Sequence, residues 1–146
     1  MEIKKFAKKI YQAKDVIFLG RGSDYNTALE GSLKLKEISY IHSEAYSAGE
    51  LKHGPIALID EDFPVISLIT DKTLAEKTIS NVQEVISRGA KTIIITNQEL
   101  NKSFDYVITI PKTNKYLSPI LSVIPLQLLS YYVDKPRNLA KSVTVE

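Results

Sequence analysis

Apolar positions fall along this chain in two alternating rhythms. Four short runs are almost continuously apolar: residues 15–19 (DVIFL), 63–70 (FPVISLIT), 91–96 (KTIIIT) and 106–110 (YVITI). Runs of that length suit strands buried on both faces. Between them the spacing changes to three and four. Residues 2–13 carry Ile3, Phe6, Ala7, Ile10 and Tyr11 at helical intervals on a basic segment that reads as a docking helix. Residues 73–88 do the same with Leu74, Ala75, Ile79, Val82, Val85 and Ile86, and Gly89 supplies a stop. Residues 116–133 predict a further, very apolar helix. Its Pro119 and Pro125 imply a kink or a late start near Pro119. Residues 41–46 read as a brief extended piece and 47–52 as one helical turn, stopped by Gly54-Pro55. The last segment, 134–146, has little periodicity and is expected to wrap over the surface.

The central element is the helix that follows the corner Gly20-Arg21-Gly22-Ser23-Asp24. Its apolar stripe is Ala28, Gly31, Leu35 and Ile38. Glu30, Lys34 and Glu37, three and four apart, form one charged flank. Strands alternating with helices of this length mean βαβ units with right-handed crossovers. The expected fold is α/β, a three-layer α/β/α sandwich around a mostly parallel sheet of four or five strands. It forms one domain over residues 1–146, with 134–146 as a tail. Ligands in such sheets bind beyond the strand C-terminal ends, where the Gly20–Asp24 corner and Thr70-Asp71 belong.

Composition narrows the function classes. The 146 residues carry 44% hydrophobic and 25% charged residues and a net charge of +2, with no block of like charge longer than two. That argues against nucleic acid. No apolar run reaches the roughly 20 residues that span a bilayer, and residues 1–10 lack a signal-peptide core, so the expected location is cytoplasmic. With no cysteine, thiolate metal sites and a cysteine nucleophile are excluded within the sequence. Two histidines eleven residues apart make no metal constellation, and no cofactor is expected.

The residues alone leave the candidate chemistry open. A strand, a Gly-rich turn and a helix N-terminus make an anion site, or Ser23 and Asp24 are plain N-caps. Glu37 serves as a general base with Lys34 tuning it, or the two are a surface ion pair. His53, in a tight polar turn, is a proton carrier or a hydrogen-bonded turn residue. His42 reads as structural. Lys141, beside Ala140 and Ser142, is either solvated or, if buried, a Schiff-base amine.

Two long segments shift this balance: LGRGSDYNTALEGSLKLKEISYIHSEAYSAGELKHGP and DKPRNLAKSVTVE. They resemble the C-terminal part of the glutamine–fructose-6-phosphate aminotransferases (isomerising), the glucosamine-6-phosphate synthases. More narrowly, they resemble the second sugar isomerase (SIS) subdomain of that family, with its flavodoxin-like fold. The resemblance implies roles residue by residue. Glu37, in the KLKE motif, moves the proton between C1 and C2 of the sugar, with Lys34 beside it. His53, in ELKHGP, assists ring opening and reaches a neighbouring subunit's site. Lys141, in NLAKS, forms a Schiff base with fructose 6-phosphate, next to Ala140. The implied partners are fructose 6-phosphate or glucosamine 6-phosphate and a second copy of the chain. A first SIS subdomain and a glutaminase domain with its cysteine nucleophile are implied as well.

The sequence departs from that pattern in one internal place. Tyr131-Tyr132-Val133 runs almost directly into Asp134-Lys135-Pro136, where the family usually has several more residues. Because this sequence contains neither the implied first SIS subdomain nor a cysteine nucleophile, half an active site is expected, with no glutamine-dependent synthesis by this chain alone. The tail is expected to lie displaced, with Lys141 far from Glu37.

Overall fold

The structure, a computed structural model, describes residues 2–144, with side chains described as far as Arg137. The element order is α1 (Glu2–Ile10), β1 (Asp15–Gly20), α2 (Ser23–Ser39), β2 (His42–Ser47), two short 3₁₀ helices (Ala48–His53 and Pro55–Leu58), β3 (Pro64–Ile69), α3 (Ala75–Ser87), β4 (Lys91–Thr96), β5 (Tyr106–Thr109) and α4 (Ser118–Thr144). The five strands form one wholly parallel sheet in the order β2-β1-β3-β4-β5. The three central strands are the three most apolar runs, and β3 is buried at every position. Strands covered on both faces by crossover helices need no polar alternation.

Successive side chains of β1 part to opposite faces, as a strand requires. Val16 and Phe18 join Ile66, Leu68, Ile93 and Ile95 under α1, α2 and α4, where Phe6, Leu35 and Leu126 complete the main core. Ile17 and Leu19 face the other way, packing with Leu51, Val65 and Val85 beneath the first 3₁₀ helix and α3. Each fully buried aliphatic side chain contributes on the order of 2 kcal/mol. The three-layer sandwich expected from the apolar rhythm is the observed architecture.

Two details depart from expectation. Of the α2 stripe, Ala28, Gly31 and Leu35 are buried, but Ile38 is half-exposed, and Ser32 and Ser39 fill the buried face instead. The helix is turned toward β2, where small side chains allow close approach. Ser43 Oγ donates to the Ser32 carbonyl at 2.8 Å and Ser39 Oγ to the Leu35 carbonyl at 2.6 Å, so the buried hydroxyls are satisfied.

The larger departure is the tail. Residues 134–144 continue α4 as helix rather than wrapping over the surface. Val133 is fully buried, and the chain passes it without a break. With no residues there to form a turn, continuing the hydrogen-bond ladder is the favourable course. Pro119 lies in the first turn, where its missing N–H costs nothing, whereas Pro125 and Pro136 each remove an internal bond. No helix of the described residues is long and apolar enough to cross a membrane.

Candidate functional site

Lys34 and Glu37 stand on the outer flank of α2. Lys34 Nζ lies 3.7 Å from Glu37 Oε2 and 3.8 Å from Glu30 Oε1, so the charged flank read from the spacing is an ion-pair triad. Glu37 is about half exposed, with 55% of its side-chain surface open. It sits near the C-terminal end of α2, two residues before Ser39, and so at the far end of the helix from the Gly20–Asp24 corner. A catalytic carboxylate of this fold class would be looked for in a concave spot at the C-terminal sheet edge, and Glu37 does not stand there. A helix that starts at that edge runs away from it, and thirteen or so residues at 1.5 Å each carry Glu37 about 20 Å off.

His53 ends the first 3₁₀ helix, its Nδ1 2.9 Å from Glu50 Oε2, and is widely exposed. Its element packs on the α3 face of the sheet, whereas α2 covers the other face. His53 therefore does not meet Lys34 and Glu37 within one chain. Gly54 follows at φ 150°, a backbone setting that favours glycine. His42 holds the starts of two paired strands together, with Nδ1 2.7 Å from Asp15 Oδ1 and Nε2 3.4 Å from Glu44. Beside it, the hydrogen bond to Glu44 pushes the Tyr46 phenol up to about 12. Ala140 and Lys141 lie in the α4 helix, and their side chains fall outside the described residues.

The Gly20–Asp24 corner is built differently from a side-chain cap. The N-cap is Gly22, at φ 60°, and no side chain caps α2. Ser23 instead lines two surface cavities. Asp24 is buried, and its carboxylate accepts from the backbone N–H of Thr70 at 2.8 Å and from the Thr70 hydroxyl. Burial holds this carboxyl above the usual aspartate value of 3.8, outweighing the Thr70 bonds that pull it down. Arg21 spans the corner as well: its Nη2 donates to Asn81 Oδ1 at 2.9 Å, and its guanidinium lies over Gly49. Neither bridge is visible in the sequence, because the partners are 46 and 60 positions apart. The nearest signal was the placing of Thr70 at the same edge as the corner.

The SIS domain family model matches residues 9–133. The chain belongs to the SIS-domain family. Over 99% of its length it is 60% identical to the glutamine–fructose-6-phosphate aminotransferase [isomerizing] of Clostridium perfringens (strain 13 / Type A), and it spans 26% of that protein. The alignment runs over 157 positions, longer than this chain, so the relative has residues for which this chain has no counterpart. Among solved structures, it superposes on the C-terminal domain of glucosamine-fructose-6-phosphate aminotransferase from Francisella tularensis with a TM-score of 0.85 and 45% identity. That match covers 91% of this chain and 38% of the other. It also resembles a glucosamine-6-phosphate deaminase from Thermotoga maritima, at a TM-score of 0.67 and 27% identity, over 93% of this chain and 41% of that one. The SIS family and the α/β sandwich expected from the motifs are thus both found.

Proposed function

We propose that this SIS chain acts as the C-terminal isomerase subdomain of a glutamine–fructose-6-phosphate aminotransferase, binding fructose 6-phosphate in the cytoplasm and taking part in ketose–aldose isomerisation. The observation that carries this reading is the 60% identity across 99% of the chain. The geometry supports it in a particular way. Lys34 and Glu37 are paired and turned outward, so their chemistry needs a second surface to enclose the sugar and exclude water. An exposed carboxylate is a weak general base until burial raises its basicity. His53, on the opposite face, suits a site in another subunit.

The covering surface has a counterpart on α4. Ile120, Ile124, Leu128 and Tyr131 recur three and four apart and are 37% to 59% exposed, an apolar stripe on the outside of the same helical layer. It fits the first SIS subdomain of the family's enzyme, and a second copy of this chain takes the same place when that subdomain is absent.

In this mechanism the Lys141 amine adds to the ketose carbonyl with loss of water, and Glu37 moves the proton between C1 and C2 while Lys34 steadies its charge. The test joins this chain to the family's remaining domains and adds fructose 6-phosphate with borohydride. The reading expects a reduced adduct on Lys141 that is lost in Lys141→Arg, and isomerisation at least about a hundredfold slower in Glu37→Gln. Trapping at another lysine, or full turnover in Glu37→Gln, overturns it.

A further inference from the structure

His53 takes its position from its backbone. Its side chain is 71% exposed, and the ring is engaged by Glu50, three residues back on the same 3₁₀ helix. Little packing holds the ring, so the Ala48–His53 helix decides where it stands. That helix is six residues long, has no side-chain cap and ends at Gly54. A 3₁₀ helix of this kind has poor hydrogen-bond geometry and does not hold itself in place. Its placement comes from contacts with the rest of the chain.

Three side chains supply those contacts. Leu51 is buried at 1% exposure and shares a core cluster with Val85 of α3. Lys52 Nζ lies 3.0 Å from Glu84 Oε1, but both side chains are partly open to solvent, and such pairs hold geometry loosely. The third is Arg21, which arrives from the corner just before α2. A Cβ at Gly49 would stand 3.1, 3.2 and 3.4 Å from its Nη2, Nη1 and Cζ, near-equal distances that put the guanidinium face over the Gly49 α-carbon. The other end of the bridge is the 2.9 Å bond from Nη2 to Asn81 Oδ1, and Asn81 is itself buried.

Arg21 is not well chosen for stability alone. It forms no ion pair among the described residues, and its Nε is buried without a hydrogen-bond partner. What it does is join three elements: the corner that opens α2, the middle of α3, and the first turn of the His53 helix. Lys34 and Glu37 ride on α2, and His53 stands on the other face of the sheet. Arg21 bridges the start of one element to the start of the other.

We propose that Arg21 is a positioning residue for the isomerisation: through Gly49 it fixes the His53 helix against the corner that starts α2, and so sets where His53 is presented. The inference rests on the isomerase reading and deepens it. Arg21 acts through His53 and touches no reacting atom.

The test has a structural arm and a kinetic arm. In the isotope-labelled 146-residue chain, Arg21→Ala is expected to shift the amides of residues 48–53 and the His53 ring signals, with circular dichroism unchanged. Arg21→Lys should not restore them, because an ammonium has no planar face to cover Gly49. Should Arg21→Ala fail to fold, Arg21→Lys carries both arms. Gly49→Ala keeps the arginine but fills its seat, and should disturb the same amides. In the chain joined to the family's remaining domains, Arg21→Ala is expected to lower kcat for fructose 6-phosphate isomerisation at least about tenfold, with KM within about twofold. The discriminating readout is the double variant. On a His53→Ala background, Arg21→Ala should lower kcat no further, since residues that act as a unit are not additive. Losses that multiply, full turnover in Arg21→Ala where His53→Ala is impaired, or unmoved amides at 48–53 each overturn the proposal alone. Full turnover in His53→Ala overturns the histidine's part in the isomerase reading and this proposal with it.

Discussion

Arg137 and Ser39, 98 positions apart, are joined by a hydrogen bond in which the guanidinium Nε donates to the Ser39 carbonyl at 3.0 Å. The same side chain donates from Nη1 to the Tyr11 carbonyl at 2.7 Å. One arginine thus satisfies the backbone at the end of α2 and just past α1, and ties the continuation of α4 to both. Ser39 lies in the last turn of its helix, where carbonyls lack intrahelical partners.

Removing that fork leaves two carbonyls without a charged donor. Arg137→Ala is expected to lower stability by about 2 kcal/mol, read as the midpoint shift in urea unfolding. Arg137→Lys should recover less than half, since an ammonium cannot serve two diverging carbonyls as a planar fork does. Full recovery by lysine would show that charge alone matters there.

Asp24 gives a pH signature of opposite sign to an ordinary paired carboxylate. Its folded-state pKa lies above the unfolded value of 3.8, so the folded protein holds its proton more tightly. The contribution is fully present below 3.8 and is lost as pH rises through the higher folded value. Asp24→Asn removes that titration and keeps an acceptor for Thr70. Unfolding free energies measured from pH 3 to 7 should therefore show the wild type falling relative to the variant as pH rises. Parallel curves would mean that Asp24 titrates as it does in the unfolded chain.

Two glycines permit close approach, with different consequences. A Cβ at Gly20 would sit 2.5 Å from the Asp24 carbonyl carbon, and backbone cannot yield cheaply. At Gly31 it would sit 2.6 Å from Leu126 Cδ1, the end of a flexible side chain at the α2–α4 contact. Gly20→Ala is expected to destabilise by about 3 kcal/mol or more, and Gly31→Ala by about 1–2 kcal/mol. Thermal unfolding of the two variants checks the order.

The apolar stripe on α4 should make the isolated chain self-associate. Sedimentation at rising concentration is expected to show dimers, and Ile124→Glu, a charge in the middle of the stripe, should return the chain to monomer without loss of helix. A wild-type chain that stays monomeric throughout would show that the stripe needs no partner.

The rhythm of apolar residues by itself determined the elements and the class. Three runs of β-branched and aliphatic residues have no stable place except inside a sheet covered on both faces. The intervening three-and-four spacing makes the covering helices. The lysine–glutamate flank of α2 was equally legible, because helix geometry alone puts Lys34 beside Glu30 and Glu37. What only the tertiary structure decided was which distant residues share a space. Asp24 with Thr70, Arg21 with Asn81, and Arg137 with Ser39 all depend on strand order and on how loops end, which no local pattern encodes. The same holds for the separation of His53 from Glu37 by the sheet, and for Ile38 yielding its core place to two serines. Residues 134–144 show the limit from the other side. Their own composition argues weakly for any structure, yet with no residues to make a turn after a buried Val133 they extend the helix before them.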